Sequence, residues 1–197
     1  MKKQIMYLFA LTWILVMSAT MVAQNAVKIV DFNAATAVTS TGQHIGTYND
    51  KAMNGNSTIV LKRIDGLHGR GVGISGSISN DYPYGFAGLE FPLAVAPTDV
   101  MDVARFTGVR FHARGDGQFY IVLVTKEIKD FDYFVFSFRL GPEWNDYVVP
   151  FSKLKQLGFG AHANWTGKDL RAVRFQIQTF GPAIASYKLD LDSVEFY

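Results

Sequence analysis

The sequence predicts an all-β domain, a sandwich or a barrel, on three observations. Short runs of alternating apolar and polar residues recur along most of its 197 residues. Gly, Pro, Asn and Asp punctuate them at short spacing, as turns require. No stretch beyond residue 24 shows the apolar period of a long amphipathic helix. The clearest runs are Val109–Arg114, Gln118–Thr125, Phe131–Leu140 and Asp146–Phe151. They are joined at Gly115-Asp116-Gly117, Lys126–Asp130 and Gly141-Pro142-Glu143. Asp-Gly between alternating runs is a strong hairpin signal, so these four runs predict an antiparallel meander.

Residues 1–23 stand apart. Lys2 and Lys3 precede an apolar run from Ile5 to Val22, and Ala23 follows. A charged start, an apolar middle and a small residue at the end predict a secretory signal peptide. The rival is a retained membrane helix, since about 18 residues is just enough to span. The mature domain, residues 24–197, is then expected in a secreted or periplasmic location, and it would meet membrane only transiently, through that segment. The chain has no cysteine, so the fold needs no disulfide even outside the cell. Of 19 basic and 17 acidic residues, the segment removes Lys2 and Lys3 and no acid. The rest is formally neutral, which gives no support for nucleic-acid binding. Its length suits one well-buried domain.

In order, Val27–Phe32 reads as an edge strand and residues 33–56 as a long loop with one short strand. Thr58–Ile64 is a strand. Gly69–Ile78 and Ala87–Leu93 are expected to pair through Ser79–Gly85. Thr98–Phe106 predicts a short helical turn, and the meander follows. Ser152–Gly158 is a second short helical piece, Gly160–Lys168 a loop. Asp169–Thr179 and Tyr187–Tyr197, divided by Gly181-Pro182, are the last strands.

Alternation assigns the faces. Val109, Phe111 and Ala113 point inward, as do Phe134, Phe136, Phe138 and Leu140, and Val173, Phe175 and Ile177. Arg110, His112, Arg114, Tyr133, Arg139, Gln176 and Gln178 then point outward, with Tyr120 expected to join them. If these strands share a sheet, they form one Tyr/Arg/His/Gln face. Rings that stack on sugar CH groups, beside planar amides and guanidinium groups that bond hydroxyls, suit carbohydrate. An ordinary solvated face carries polar residues too. Gly71-Val72-Gly73-Ile74-Ser75-Gly76 matches a dinucleotide-binding spacing, but no helix opens after it, so it reads as close strand packing. HExxH, CxxC and GxSxG motifs are absent from the sequence.

Several segments, in order, carry a resemblance. Asp50-Lys51-Ala52-Met53-Asn54-Gly55-Asn56-Ser57 is similar to a D-x-x-M-G-G-x-S loop, with Asn54 in place of the first Gly. Gly115-Asp116-Gly117-Gln118-Phe119-Tyr120 resembles a GDGxxY turn. Trp144–Ser152, Trp165–Leu170 and Leu189–Val194 look like the strands that close the domain. Together they resemble the complex I intermediate-associated protein 30 family, whose pattern is shared with family eleven carbohydrate-binding modules. The resemblance implies a galactose-binding-like jelly roll, a β-sandwich of two antiparallel sheets. Related jelly rolls hold a structural Ca²⁺, which here implies Asp31, Asp190 and Asp192; a solvent-facing polar pair at 190 and 192 is the plainer alternative. The expected function is an exported, non-catalytic binding module for carbohydrate on the Tyr/Arg/Gln face. The alternative is a protein-interaction module of the assembly-factor kind.

Overall fold

The computed structural model describes residues 26–197. The segment expected to direct export, residues 1–23, lies outside them. Three two-residue strands come first: β1 (Val27–Lys28), β2 (Val30–Asp31) and β3 (Val38–Thr39). Then follow β4 (Gly46–Asn49), β5 (Thr58–Asp65), β6 (Arg70–Ile78), β7 (Phe86–Pro92), β8 (Gly108–Thr125), β9 (Phe134–Leu140), β10 (Asn145–Pro150), β11 (Leu170–Gln178) and β12 (Ile184–Phe196). Two 3₁₀ turns cover Asp50–Met53 and Phe151–Lys153. Among the described residues no helix is long and apolar enough to cross a membrane.

The strands form an antiparallel jelly-roll sandwich. Its back sheet runs β5-β6-β12-β8-β10, with β1 on the end of β12; its front sheet runs β4-β7-β11-β8-β9. Strand β8 belongs to both. Residues up to Asp116 pair with β12 and β10. Residues from Gly117 onward pair with β9, and from Tyr120 also with β11. The inward residues meet between the layers: Val109, Phe111, Ala113, Phe134, Phe138, Leu140, Val173, Phe175 and Ile177 are buried, and Phe136 is half-buried against them. Phe111 of the back sheet stands edge-on to Phe175 of the front sheet, with centroids 4.9 Å apart. Such aromatic pairs add to the burial that holds the layers together.

Four expectations are corrected. Gly115-Asp116-Gly117 is not a hairpin but a corner inside one strand. Gly115 and Gly117 have φ of 150° and 125°, a region that side chains disfavour, and the bend passes the strand from one sheet to the other. Of the expected meander only the hairpin through Lys126–Asp130 remains, between the second half of β8 and β9; β9 and β10 lie in different sheets, each paired with a different half of β8. Likewise β6 and β7 do not pair; β6 joins β5 and β12, whereas β7 joins β4 and β11. Residues 98–106 form no helix, because Met101 is tied to Leu170 by a β-bridge in which its N–H donates at 2.7 Å.

Candidate functional site

The outer face of the front sheet gathers the groups expected to bind. Register places Gln176 between Gly88 and Tyr120, and Tyr120 opposite Ser137. Arg174 lies between Glu90 and Val122, and Gln118 opposite Arg139. Gly88 leaves room for Tyr48 to lie across β7: a Cβ there would come within 2.4 Å of the phenol oxygen. The Tyr48 hydroxyl donates to Gln176 Oε1 at 2.8 Å, and Gln176 Nε2 donates to Gln178 Oε1. Arg174 pairs with Glu90 and stands over the Tyr48 ring, 4.7 Å from its centroid. The Tyr133 ring lies 5.9 Å from the same guanidinium. Burial raises the phenol pKa of both Tyr48 and Tyr133, outweighing the nearby Arg174, so both stay protonated donors. Beneath these groups Val122, Val124, Val135 and Ala172 form a small buried apolar floor.

At one end the face deepens into a groove of about 360 Å³. The β8–β9 loop forms one wall with Lys126, Ile128, Lys129 and Tyr133; Thr125 of β8, Arg171 and Arg174 of β11 and Glu90 of β7 complete the polar lining. Two carboxylates fix that loop. Asp132 is buried and accepts from the N–H groups of Leu157, Gly158 and Gly160 at 2.8–3.0 Å. Asp130 accepts from Ala161 N–H at 2.6 Å, and that bond and one from Asp132 N–H hold its carboxyl below the ordinary 3.8. Between them Phe131 takes φ of 67°, strained for an aromatic residue, and its exposed ring stands 6.3 Å from Tyr133. At the opposite end the face runs into rings: Phe86, Tyr82, Tyr84 and Phe180, in contact one after another.

Of the predicted ligand residues, Tyr120, Tyr133, Arg139, Gln176 and Gln178 share this face. Arg110, His112 and Arg114 do not. They belong to the first half of β8 and project from the back sheet, because the strand changes sheets at Gly115. There they have partners: Arg110 pairs with Glu195, His112 with Ser193 and Asp146, and Arg114 with Asp190 at 3.0 Å while covering Trp144. Tyr48, Glu90 and Arg174 were missed as site residues. Arg174 shares the alternation of Gln176 and Gln178, which could have found it; Tyr48 lies in a segment that reads as loop.

The three acids expected to hold calcium are not gathered in one cluster among the described residues. Asp190 is flanked by Arg114 and Lys188, both 3.0 Å from Oδ2, and two cations at one carboxylate disfavour a third. Asp192 accepts from the His68 backbone N–H at 2.6 Å and faces its ring nitrogen. Asp31 is exposed and caps Asn33 N–H. Among the described residues no three His, Asp or Glu side chains group as a metal site needs.

The family model of complex I intermediate-associated protein 30 matches residues 30–189. The chain belongs to that family. The segments that mark a complex I intermediate-associated protein 30 domain now have physical roles. Asp50, fully buried, accepts from Ser57 N–H and its hydroxyl and from Phe86 N–H, so the early loop is clamped at both ends by one carboxylate. Gly115–Gly117 is the corner of β8. The chain is also similar in fold to solved carbohydrate-binding modules. One is the family 11 module of the cellulosomal cellulase Lic26A-Cel5E of Clostridium thermocellum, 17% identical, with a TM-score of 0.66, covering 88% of this chain and 95% of that one. A second is a family 11 module from Clostridium thermocellum in complex with a β-1,3-1,4-mixed-linked tetrasaccharide, also 17% identical, with a TM-score of 0.62 and coverage of 86% and 94%. A family 30 module shares 9% identity with a TM-score of 0.56, covering 88% of this chain and 99% of that one. At such identities the likeness is one of fold. Among curated proteins none matches the chain in sequence.

Proposed function

We propose that this domain is an exported binding module and that the outer face of its front sheet holds a carbohydrate. The observation that carries the reading is the fixed array Tyr48–Gln176–Gln178 beside Arg174 and Glu90, lying over an apolar floor between Tyr48 and Tyr133. Sugar CH faces stack on rings and floor, while hydroxyls bond to amide, guanidinium and carboxylate edges. Because these side chains already hold one another, little rotamer entropy is lost when a ligand arrives. Gln178 Nε2 is buried without a partner among the described residues, a donor left over for a ligand. Retention of the purified protein in gels containing mixed-linkage β-glucan or other plant and bacterial polysaccharides tests the reading. Tyr133→Ala and Gln176→Ala should abolish retention while the circular dichroism spectrum is unchanged. Retention unaffected by either change would place the ligand elsewhere.

A protein partner is the second reading, favoured by the exposed rings of Tyr84 and Phe180, which touch at 5.9 Å. A partner captured by the protein and lost on Tyr84→Ser, with no polysaccharide retained, would select it. Export is checked by fractionating cells that express the full chain.

A further inference from the structure

We propose that the groove at the β8–β9 end of this face is a subsite for an anionic sugar, one carrying a carboxylate or a sulfate. The inference rests on the carbohydrate reading and sharpens it. Four cations line the groove, Lys126, Lys129, Arg171 and Arg174, against one carboxylate, Glu90. That carboxylate is engaged by Arg174. Among the described residues Lys126, Lys129 and Arg171 pair with no carboxylate. Arg171 Nε is buried and has no hydrogen-bond partner, an unmet donor on a guanidinium that lines the cavity. An acidic group there would satisfy that donor with a charge-assisted bond and offset the mutual repulsion of the cations. Tyr133, Val124 and Ala172 supply apolar surface in the same groove, which suits a sugar ring better than a bare inorganic anion. The excess of charge is local, because residues 24–197 carry equal numbers of acidic and basic groups.

The test compares binding of polygalacturonate, chondroitin sulfate and neutral mixed-linkage β-glucan by the full protein, at physiological ionic strength so that loose attraction is screened. Poly-L-glutamate serves as a competitor of charge without sugar. The subsite predicts that one acidic polysaccharide, the carboxylated or the sulfated, binds more tightly than the neutral one. It also predicts that Lys129→Gln, at an exposed position that leaves the fold intact, and Arg171→Gln each weaken that binding about tenfold while neutral binding is unchanged. Displacement by poly-L-glutamate as effectively as by the polysaccharide would show a surface for acidic protein and overturn the proposal. Equal retention of acidic and neutral polymers, indifferent to both substitutions, would overturn the anionic subsite and leave carbohydrate binding standing. Retention of no polysaccharide at all would remove both.

Discussion

At Asp50 one buried carboxylate holds three donors from two separate segments. Replacing it by Ala would leave the buried Ser57 N–H and the part-buried Phe86 N–H without acceptors. Each such orphan costs about 1–3 kcal/mol, so Asp50→Ala should lower unfolding stability by about 3 kcal/mol in urea titration. Loss below 1 kcal/mol would mean that water replaces the carboxylate. Asp130 gives a prediction with a pH sign. Its carboxyl is held below 3.8 by backbone N–H groups, chiefly that of Ala161. Its folded pKa therefore lies below the unfolded one. The anchoring of the β8–β9 loop is complete above the unfolded value and is lost as pH falls through the folded value. Amide exchange at Ala161, after allowance for its intrinsic pH dependence, should accelerate across that acidic window and not above it. A protection factor flat through that window would refute the anchor. Asp50 stands out in the sequence only through the resemblance of its loop, and Asp130 not at all, because a buried or loop-anchoring acceptor of backbone N–H groups looks there like any other loop acid.

Among the elements, β8 decides most of what could and could not be read. Inward residues from Val109 through Phe111, Ala113, Phe119 and Ile121 to Leu123 keep one phase across the two glycines, which is what a single strand requires. That signal was legible. The Asp-Gly turn signal pointed the other way and was misleading, since local propensity says nothing about which partners lie alongside. The faces of individual strands were legible because burial imposes a period of two. The hairpin of β8 and β9 was legible too, but the separation of β6 from β7 and of β9 from β10 was not, because partners distant in sequence leave no local mark. At the corner itself, a Cβ on Gly115 would meet the Lys188 carbonyl oxygen at 2.0 Å. Gly115→Ala should accordingly destabilise the protein by about 3 kcal/mol or more, seen as a large fall in Tm. An unchanged Tm would mean that β8 and β12 can separate there without cost.

For the molecule as a whole, one strand changing sheets turns a single expected face into two opposite ones. Tyr120, Tyr133, Arg139, Gln176 and Gln178 stay on the front, whereas Arg110, His112 and Arg114 go to the back, beside Glu195, Asp146 and Asp190. Substitution on the two sides should therefore have separable effects. Arg110→Ala should leave polysaccharide retention intact. Arg114→Ala, which leaves buried Asp190 beside Lys188 alone, should cost stability without touching binding. Retention lost with Arg110→Ala in a folded protein would move the ligand to the back sheet. The order in which the chain is made also acquires meaning. Strand β12, the most C-terminal of the described strands, lies in the middle of the back sheet between β6 and β8. Until it leaves the ribosome those two strands have nothing to hold them side by side, and the sandwich stays open. Closing of the back sheet thus waits on the most C-terminal of the described strands, and a nascent segment that stops short of β12 leaves the facing edges of β6 and β8 unpaired.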